Sequence, residues 1–195
     1  MKDENQITKT NDKVEEYKKT KTLTLAERMN ILKVNKDTCL LIDVSISMGA
    51  PAFINVNGEG KDKSRYDLTL ETLEKFPAIR KFVFSRDCHE ILEGDKIPSP
   101  NGSTALDLGF KRVSEKGLKH IVLLTDGQPN DEHAALSAAR AIKDLKLNII
   151  YIGPKPIPLF LTQLANAVNG TFDDVALISG AAQKTLESKI KGYLT

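Results

Sequence analysis

Five side chains that carry oxygen ligands lie at positions from which they could bind one metal ion. Asp43, Ser45 and Ser47 alternate directly after the apolar run LLI. Thr104 lies in the loop sequence NGSTALD, and Asp126 follows the apolar run HIVLLT. A hard cation such as Mg²⁺ prefers carboxylate and hydroxyl oxygens, whereas zinc sites are built from the thiolates and imidazoles that this set lacks. The five residues therefore predict a site for a hard divalent cation.

Each of the five residues also has an ordinary structural explanation. Asp43 could cap a helix or close a turn, and Ser45 and Ser47 could cap the loop that follows. Thr104 could be the N-cap of the helix that begins with ALDLGF, a role that is compatible with metal binding. Asp126 and the glycine after it could form a plain turn. All five occur in order at a predicted strand end or loop, and this joint occurrence favours metal binding.

Strand-like and helix-like segments alternate from position 38 onward. Short apolar runs predict strands at 38–44, 79–85, 89–92, 120–125, 148–153 and 171–175. Apolar residues near helical spacing and helix-forming composition predict helices at 65–76, 104–117, 131–145, 158–170 and 180–194. This order predicts a three-layer, doubly wound, Rossmann-like α/β domain with a mostly parallel sheet and helices on both faces. Ligands of such sheets bind beyond the carboxyl ends of the strands, where the five residues are expected to meet.

The pattern DVSIS, a separated threonine in GSTALDLGF and an aspartate in LTDGQPND together resemble a known motif. It is the metal-ion-dependent adhesion site (MIDAS) of von Willebrand factor A domains, and the resemblance covers about residues 38–193. The resemblance implies the von Willebrand A fold, with hydroxyl contacts to the cation from Ser45, Ser47 and Thr104. It also implies that the two aspartates hold the ion directly or through water. Ile46 stands where many members carry glycine, which adds apolar surface at the rim.

The small number of charged ligands predicts a function in binding. Mg²⁺ requires near-octahedral coordination at ~2.0–2.1 Å, and with only two carboxylates at least one position falls to water or a guest. Two unit charges about 4 Å apart attract by about 4 kcal/mol at an effective dielectric near 20, which favours an incoming Glu or Asp over water. We therefore predict a non-catalytic module that engages an acidic residue of a protein partner through Mg²⁺, with Mn²⁺ or Ca²⁺ as alternative ions. The resemblance implies an AAA+ ATPase or another assembly component as the partner.

Two other functions are open from the sequence alone. One is a magnesium-dependent phosphotransferase or phosphatase of the haloacid dehalogenase type, with Asp43 as nucleophile. That chemistry requires a second aspartate two residues later as general acid, where Ser45 stands, and a hydroxyl is a poor proton donor to a leaving group. The other is a structural domain with an idle metal site. No phosphate-binding loop of the type G-x-x-x-x-G-K-[ST] occurs, so nothing supports nucleotide hydrolysis.

Composition predicts a single soluble domain preceded by a polar arm. Residues 1–22 are charged and nearly without apolar side chains, which predicts a flexible tail, and 23–36 are expected to form a short helix before a domain at 37–195. The net charge of +2 gives no reason to expect a nucleic-acid or membrane partner. The first residues lack the apolar core of a signal peptide, and the two cysteines form no disulfide framework, so we expect a cytoplasmic protein.

Overall fold

A six-stranded sheet organises the described part of the chain. The computed structural model describes residues 37–52, 63–175 and 182–194. The strands are β1 (Thr38–Asp43), β2 (Arg80–Phe84), β3 (Cys88–Ile91), β4 (His120–Thr125), β5 (Lys146–Tyr151) and β6 (Thr171–Asp174). Their order in the sheet is β3-β2-β1-β4-β5-β6, and β3 alone among these six runs antiparallel to its neighbour. The predicted mostly parallel sheet is confirmed.

Five α-helices among the described residues cover the two faces of this sheet. They are α1 (Arg65–Leu73), α2 (Leu106–Glu115), α3 (Glu132–Arg140), α4 (Leu159–Ala167) and α5 (Ala182–Leu194). Successive residues of a strand point to opposite faces. Leu41 is accordingly part of the buried layer that contains Phe110 of α2, with residues of α3 and α4. Leu40 is part of the other layer, with Leu68 of α1 and Leu186 of α5. The predicted three-layer α/β architecture with helices on both faces is confirmed.

The predicted division of the chain is only partly covered by these residues. The tail expected at 1–22 and the helix expected at 23–36 lie outside the described residues. The boundaries 1–22, 23–36 and 37–195 therefore stay a prediction. None of the described helices has the length and apolar character that a membrane span requires.

Local hydrogen bonds explain where α1 and α3 begin, and the start of β5 explains where α3 ends. Ser64 and Asp67 form a reciprocal capping box at the start of α1, and the Asp131 side chain accepts a hydrogen bond from the N–H of Ala134, the third residue of α3. The helix predicted to run to 145 ends at Arg140, which is shorter than expected. The reason is that β5 begins at Lys146, two residues before its predicted start, and its N–H donates to the carbonyl of Lys119 at 2.8 Å. The chain must therefore leave the helix early enough to turn into the strand.

A row of polar side chains crosses the sheet through β1, β4, β5 and β6. The Thr171 hydroxyl donates to Asn148 Oδ1 at 2.7 Å, and Asn148 Nδ2 lies 2.9 Å from His120 Nε2. The His120 Nδ1 atom lies 3.2 Å from the Thr38 hydroxyl. Because the Asn148 amide nitrogen can only donate, His120 accepts at Nε2 and carries its proton on Nδ1. We call these four residues the cross-sheet polar chain.

The sheet topology places two loops side by side at one edge. The chain leaves β1 for β2 on one side and reaches β4 on the other side. The carboxyl ends of β1 and β4 are therefore adjacent at a switch point, which is the place where open α/β sheets bind ligands.

Candidate metal-binding site

The loop after β1 is fixed by backbone hydrogen bonds to its neighbours. The Val44 N–H donates to Phe84 O at the end of β2, at 2.9 Å, and the Val44 carbonyl accepts from Asn101 N at 2.9 Å. The Ile46 N–H donates to Gly102 O at 3.3 Å, and 46–49 then form a single 3₁₀ turn. The loop that carries the two serines is thus held against both β2 and the segment before Thr104.

Asp43 lies at the floor of this site. Its carboxylate is fully buried, with Oδ1 accepting from Ser45 N at 2.8 Å and Oδ2 accepting from the Thr125 hydroxyl at 2.7 Å. Burial raises the pKa of Asp43 to about 6, although the hydrogen bonds from Ser45 and Thr125 lower it, and the charge of Asp126 adds to the rise. The environment therefore disfavours the negative charge on Asp43 until a cation balances it.

A chain of hydrogen bonds joins the β1 loop to the residue after β4. The Ser45 and Ser47 hydroxyl oxygens lie 3.0 Å apart, and the Ser47 hydroxyl donates to Asp126 Oδ1 at 2.8 Å. Ser45 is buried whereas Ser47 is exposed, so the chain leads from the interior to the rim. The structure thus brings Asp43, Ser45, Ser47 and Asp126 together in one contiguous cluster.

Thr104 is held beside this cluster by its backbone. The Thr104 N–H donates to the Asn130 side-chain oxygen at 3.2 Å, and Asn130 N donates back to Thr104 O at 3.0 Å. The next N–H, of Ala105, donates to Ser85 O at 2.7 Å. No hydrogen bond within 63–175 or the other described ranges joins the Thr104 hydroxyl to the four clustered residues. Thr104 is therefore placed by the loop after β4, and its role as a ligand stays a prediction.

Asp126 has a second partner, which the sequence did not reveal. Arg65, the first residue of α1, donates from Nη1 to Asp126 Oδ2 at 2.5 Å and to Ser47 O at 3.3 Å. The Asp126 side chain is fully buried and the Arg65 side chain is 11% exposed, so the ion pair is shielded from water. Both carboxylate oxygens of Asp126 are thus engaged, one by a hydroxyl and one by a guanidinium.

Known proteins match this chain in fold but not in sequence. No protein-family model and no curated protein sequence matches the chain. The fold matches the manganese-loaded TRAP protein of Plasmodium vivax with a TM-score of 0.54 and 17% identity, over 83% of this chain and 74% of that structure. It matches a von Willebrand factor type A protein of Catenulispora acidiphila with a TM-score of 0.57 and 16% identity, over 80% of this chain and 41% of that structure. This chain has the von Willebrand factor A fold.

A third structure with this fold is the proximal thread matrix protein 1 of the mussel byssus, which has a zinc-occupied MIDAS motif. The TM-score is 0.50 and the identity 18%, over 81% of this chain and 47% of that structure. The chain thus spans less than half of the mussel and Catenulispora structures and about three quarters of the TRAP structure.

The donor set at this edge of the sheet fits a hard cation. Two carboxylates and two hydroxyls converge at the sheet edge, with a third hydroxyl, that of Thr104, on the adjacent loop. Among the described residues no group of three or more His, Cys, Asp or Glu side chains lies together. A cation bound here would therefore be held largely by neutral oxygens, which suits Mg²⁺ or Mn²⁺ and leaves coordination to be completed from outside.

Proposed function

We propose that this von Willebrand A-type domain is a non-catalytic module that binds a protein partner through a divalent cation at a MIDAS. The ligands would be Asp43, Ser45, Ser47, Thr104 and Asp126. The observation that carries the proposal is the hydrogen-bonded path from Ser45 through Ser47 to Asp126. It joins the loops after β1 and β4 at the switch point of the sheet.

The charges of the site favour an acidic guest. The two carboxylates would balance a divalent cation, and the guanidinium of Arg65 beside them would leave the site with positive charge. Mg²⁺ is the proposed resident ion, with Mn²⁺ or Ca²⁺ as alternatives. The manganese of the TRAP structure and the zinc of the mussel MIDAS support a divalent ion in general. A Glu or Asp side chain of the partner would take an open coordination position.

The nature of the partner is part of the proposal. An AAA+ ATPase or another assembly component is proposed from the family resemblance, and neither nucleic acid nor membrane is expected at a net charge of +2. A cytoplasmic location stays a prediction from the sequence. The phosphotransferase alternative is disfavoured because Asp43 is fully buried and both of its oxygens accept hydrogen bonds. A nucleophile needs an open path to its substrate.

Calorimetry and affinity capture test this proposal together. Purified protein is titrated with Mg²⁺ and Mn²⁺, and partners are captured in Mg²⁺ or in EDTA. Thr104→Ala should weaken ion binding, whereas Ser103→Ala, the neighbouring hydroxyl, serves as the matched control and should have little effect. Asp126→Asn should abolish ion binding, with Asp87→Asn as a control on the exposed β2–β3 turn. Absence of Mg²⁺ and Mn²⁺ uptake at millimolar concentration would overturn the proposal, and phosphatase activity lost in Asp43→Asn would favour the alternative.

A further inference from the structure

The position of Arg65 is not explained by helix stability. The N-terminus of a helix carries partial positive charge, so a cation in the first turn is electrostatically unfavourable. Arg65 is the first residue of α1, and the acidic residue that suits this position, Asp67, is already present in the capping box. The side chain of Arg65 instead extends to Asp126 and to the carbonyl of Ser47. Its role therefore concerns the metal-binding site rather than the helix.

Only part of the Arg65 guanidinium is hydrogen-bonded. Its Nη1 atom donates to Asp126 Oδ2 at 2.5 Å, yet its Nε atom is buried without a hydrogen-bond partner among the described residues. A guanidinium that is satisfied at only part of its donors is less costly to move than a fully satisfied one. The Arg65–Asp126 ion pair is thus stable without a metal ion, but a bound cation can displace it.

A divalent cation and this guanidinium would bind the same carboxylate group, that of Asp126. Both oxygens of the carboxylate are engaged, Oδ1 by the Ser47 hydroxyl and Oδ2 by Arg65. An ion that binds Asp126 must replace one of these contacts or share an oxygen with it. Sharing brings like charges together at a site with little solvent, where repulsion is weakly screened.

We propose that Arg65 competes with the divalent cation for Asp126 and thereby sets the affinity of the site for the ion. The inference rests on the proposed function and adds a residue outside the five proposed ligands. Arg65 acts as a positioning residue: it holds Asp126 in place, and it moves off the carboxylate when the ion binds. The site consequently loads with metal less readily than its five ligands alone would allow.

The experiment measures ion affinity by calorimetry in Arg65→Met, Arg65→Lys and wild-type protein, with Mg²⁺ and Mn²⁺ as probes. Competition predicts that Arg65→Met binds the ion more tightly, on the order of tenfold within the range usual for coupled sites. Arg65→Lys keeps the charge and should remain closer to wild type. Arg112→Met is the matched control, since Arg112 is also an ion-paired arginine with a buried, unpartnered Nε, but lies in the last turn of α2. Its ion affinity should match wild type.

The outcomes separate this inference from the proposed function. Wild-type binding with equal or weaker binding by a folded Arg65→Met would overturn the competition and leave the function standing. Binding by Arg65→Met alone would support the competition and show that wild type is blocked, which overturns the function. Absence of binding in every variant would overturn both. A merely structural role for Arg65 predicts weaker binding in both Arg65 variants, so tighter binding cannot arise from it.

Discussion

The ion pair between Arg65 and Asp126 should contribute measurably to stability, which a double-mutant cycle can test. The cycle comprises wild type, Arg65→Met, Asp126→Asn and the double variant, unfolded with urea in EDTA. Removing one partner of a buried pair typically costs about 3–5 kcal/mol, because an unpaired charge is left in a poorly solvated site. The Asp126 side chain is fully buried but Arg65 is 11% exposed, so water partly compensates the arginine. We therefore expect a coupling free energy of about 2–3 kcal/mol, toward the lower end of such pairs.

An exposed pair that joins Glu71 of α1 to Lys63, which precedes the helix, provides the internal reference. Lys63 and Glu71 approach to 2.7 Å, but their side chains are 46% and 39% exposed. The same cycle on this pair should give less than about 1 kcal/mol, as is usual at protein surfaces. Similar coupling energies for the two pairs would refute the reasoning, because burial would then have no effect. Saturating Mg²⁺ should reduce the Arg65–Asp126 coupling if the ion displaces the arginine, and should leave the reference pair unchanged.

Three further predictions concern pH, backbone strain and the partner surface. Burial and the charge of Lys146 lower the pKa of His120 below its ordinary 6.5, so the unfolded state binds more protons than the folded state just below pH 6.5. The contribution of His120 to the free energy of unfolding should thus fall as the pH drops below 6.5, whereas Asp43, whose pKa is raised to about 6, contributes in the opposite sense. The difference in unfolding free energy between wild type and His120→Gln, measured by denaturant titration at several pH values, should therefore shrink as the pH falls through this window. Gly102 has a φ of +70° and its missing side chain would meet Arg86 at 2.7 Å. Gly102→Ala should therefore lower stability by about 1–2 kcal/mol, measured by urea unfolding. Ile46 is 72% exposed at the rim of the site, so Ile46→Gly should weaken partner capture in Mg²⁺ while leaving calorimetric ion binding intact.

The elements that frame the site follow from local sequence. TCLLID and HIVLLT are continuous apolar runs because β1 and β4 are covered by helices on both faces, and such runs are read directly as buried strands. A parallel sheet then forces the residues after these strands to the same edge. This is why Asp43 and Asp126 could be expected to meet, and the structure brings them together through two serines.

The contacts that complete the site depend on tertiary structure. Arg65 lies on a helix whose apolar spacing could be recognised, but nothing in that spacing points its side chain to the loop after β4. Its one local signal is a cation in the first turn of a helix, where a negative charge would be favourable. Thr125 donates to Asp43 because neighbouring strands place the two side by side, and a threonine at the end of an apolar strand has no distinguishing pattern. Such pairings require the register between strands.

Helix length is a second example of tertiary control. The alanine-rich sequence after Asp131 has high intrinsic helix propensity, which alone would continue the helix to 145. The backbone instead adopts a positive φ of 58° at Asp144 and enters β5 at Lys146. Residues 147–151 of β5 gain buried positions in the sheet, whereas propensity contributes only tenths of a kcal/mol per residue. Pairing with β4 therefore decides where the helix ends.

The competition at Asp126 has a consequence for how the ion and the partner would bind. If Arg65 must leave the carboxylate, part of the free energy of ion binding is spent on freeing a guanidinium that lies near the rim of the same site. An acidic partner would interact with both the bound ion and the released guanidinium, so it would stabilise the ion-loaded arrangement more than the arginine-bound one. Linkage then requires the ion to raise partner affinity by the same factor as the partner raises ion affinity. Arg65→Met should consequently tighten ion binding in the absence of the partner. It should also reduce the factor by which the ion and the partner raise each other's affinity. A domain in which Arg65 does not compete with the ion would show neither effect.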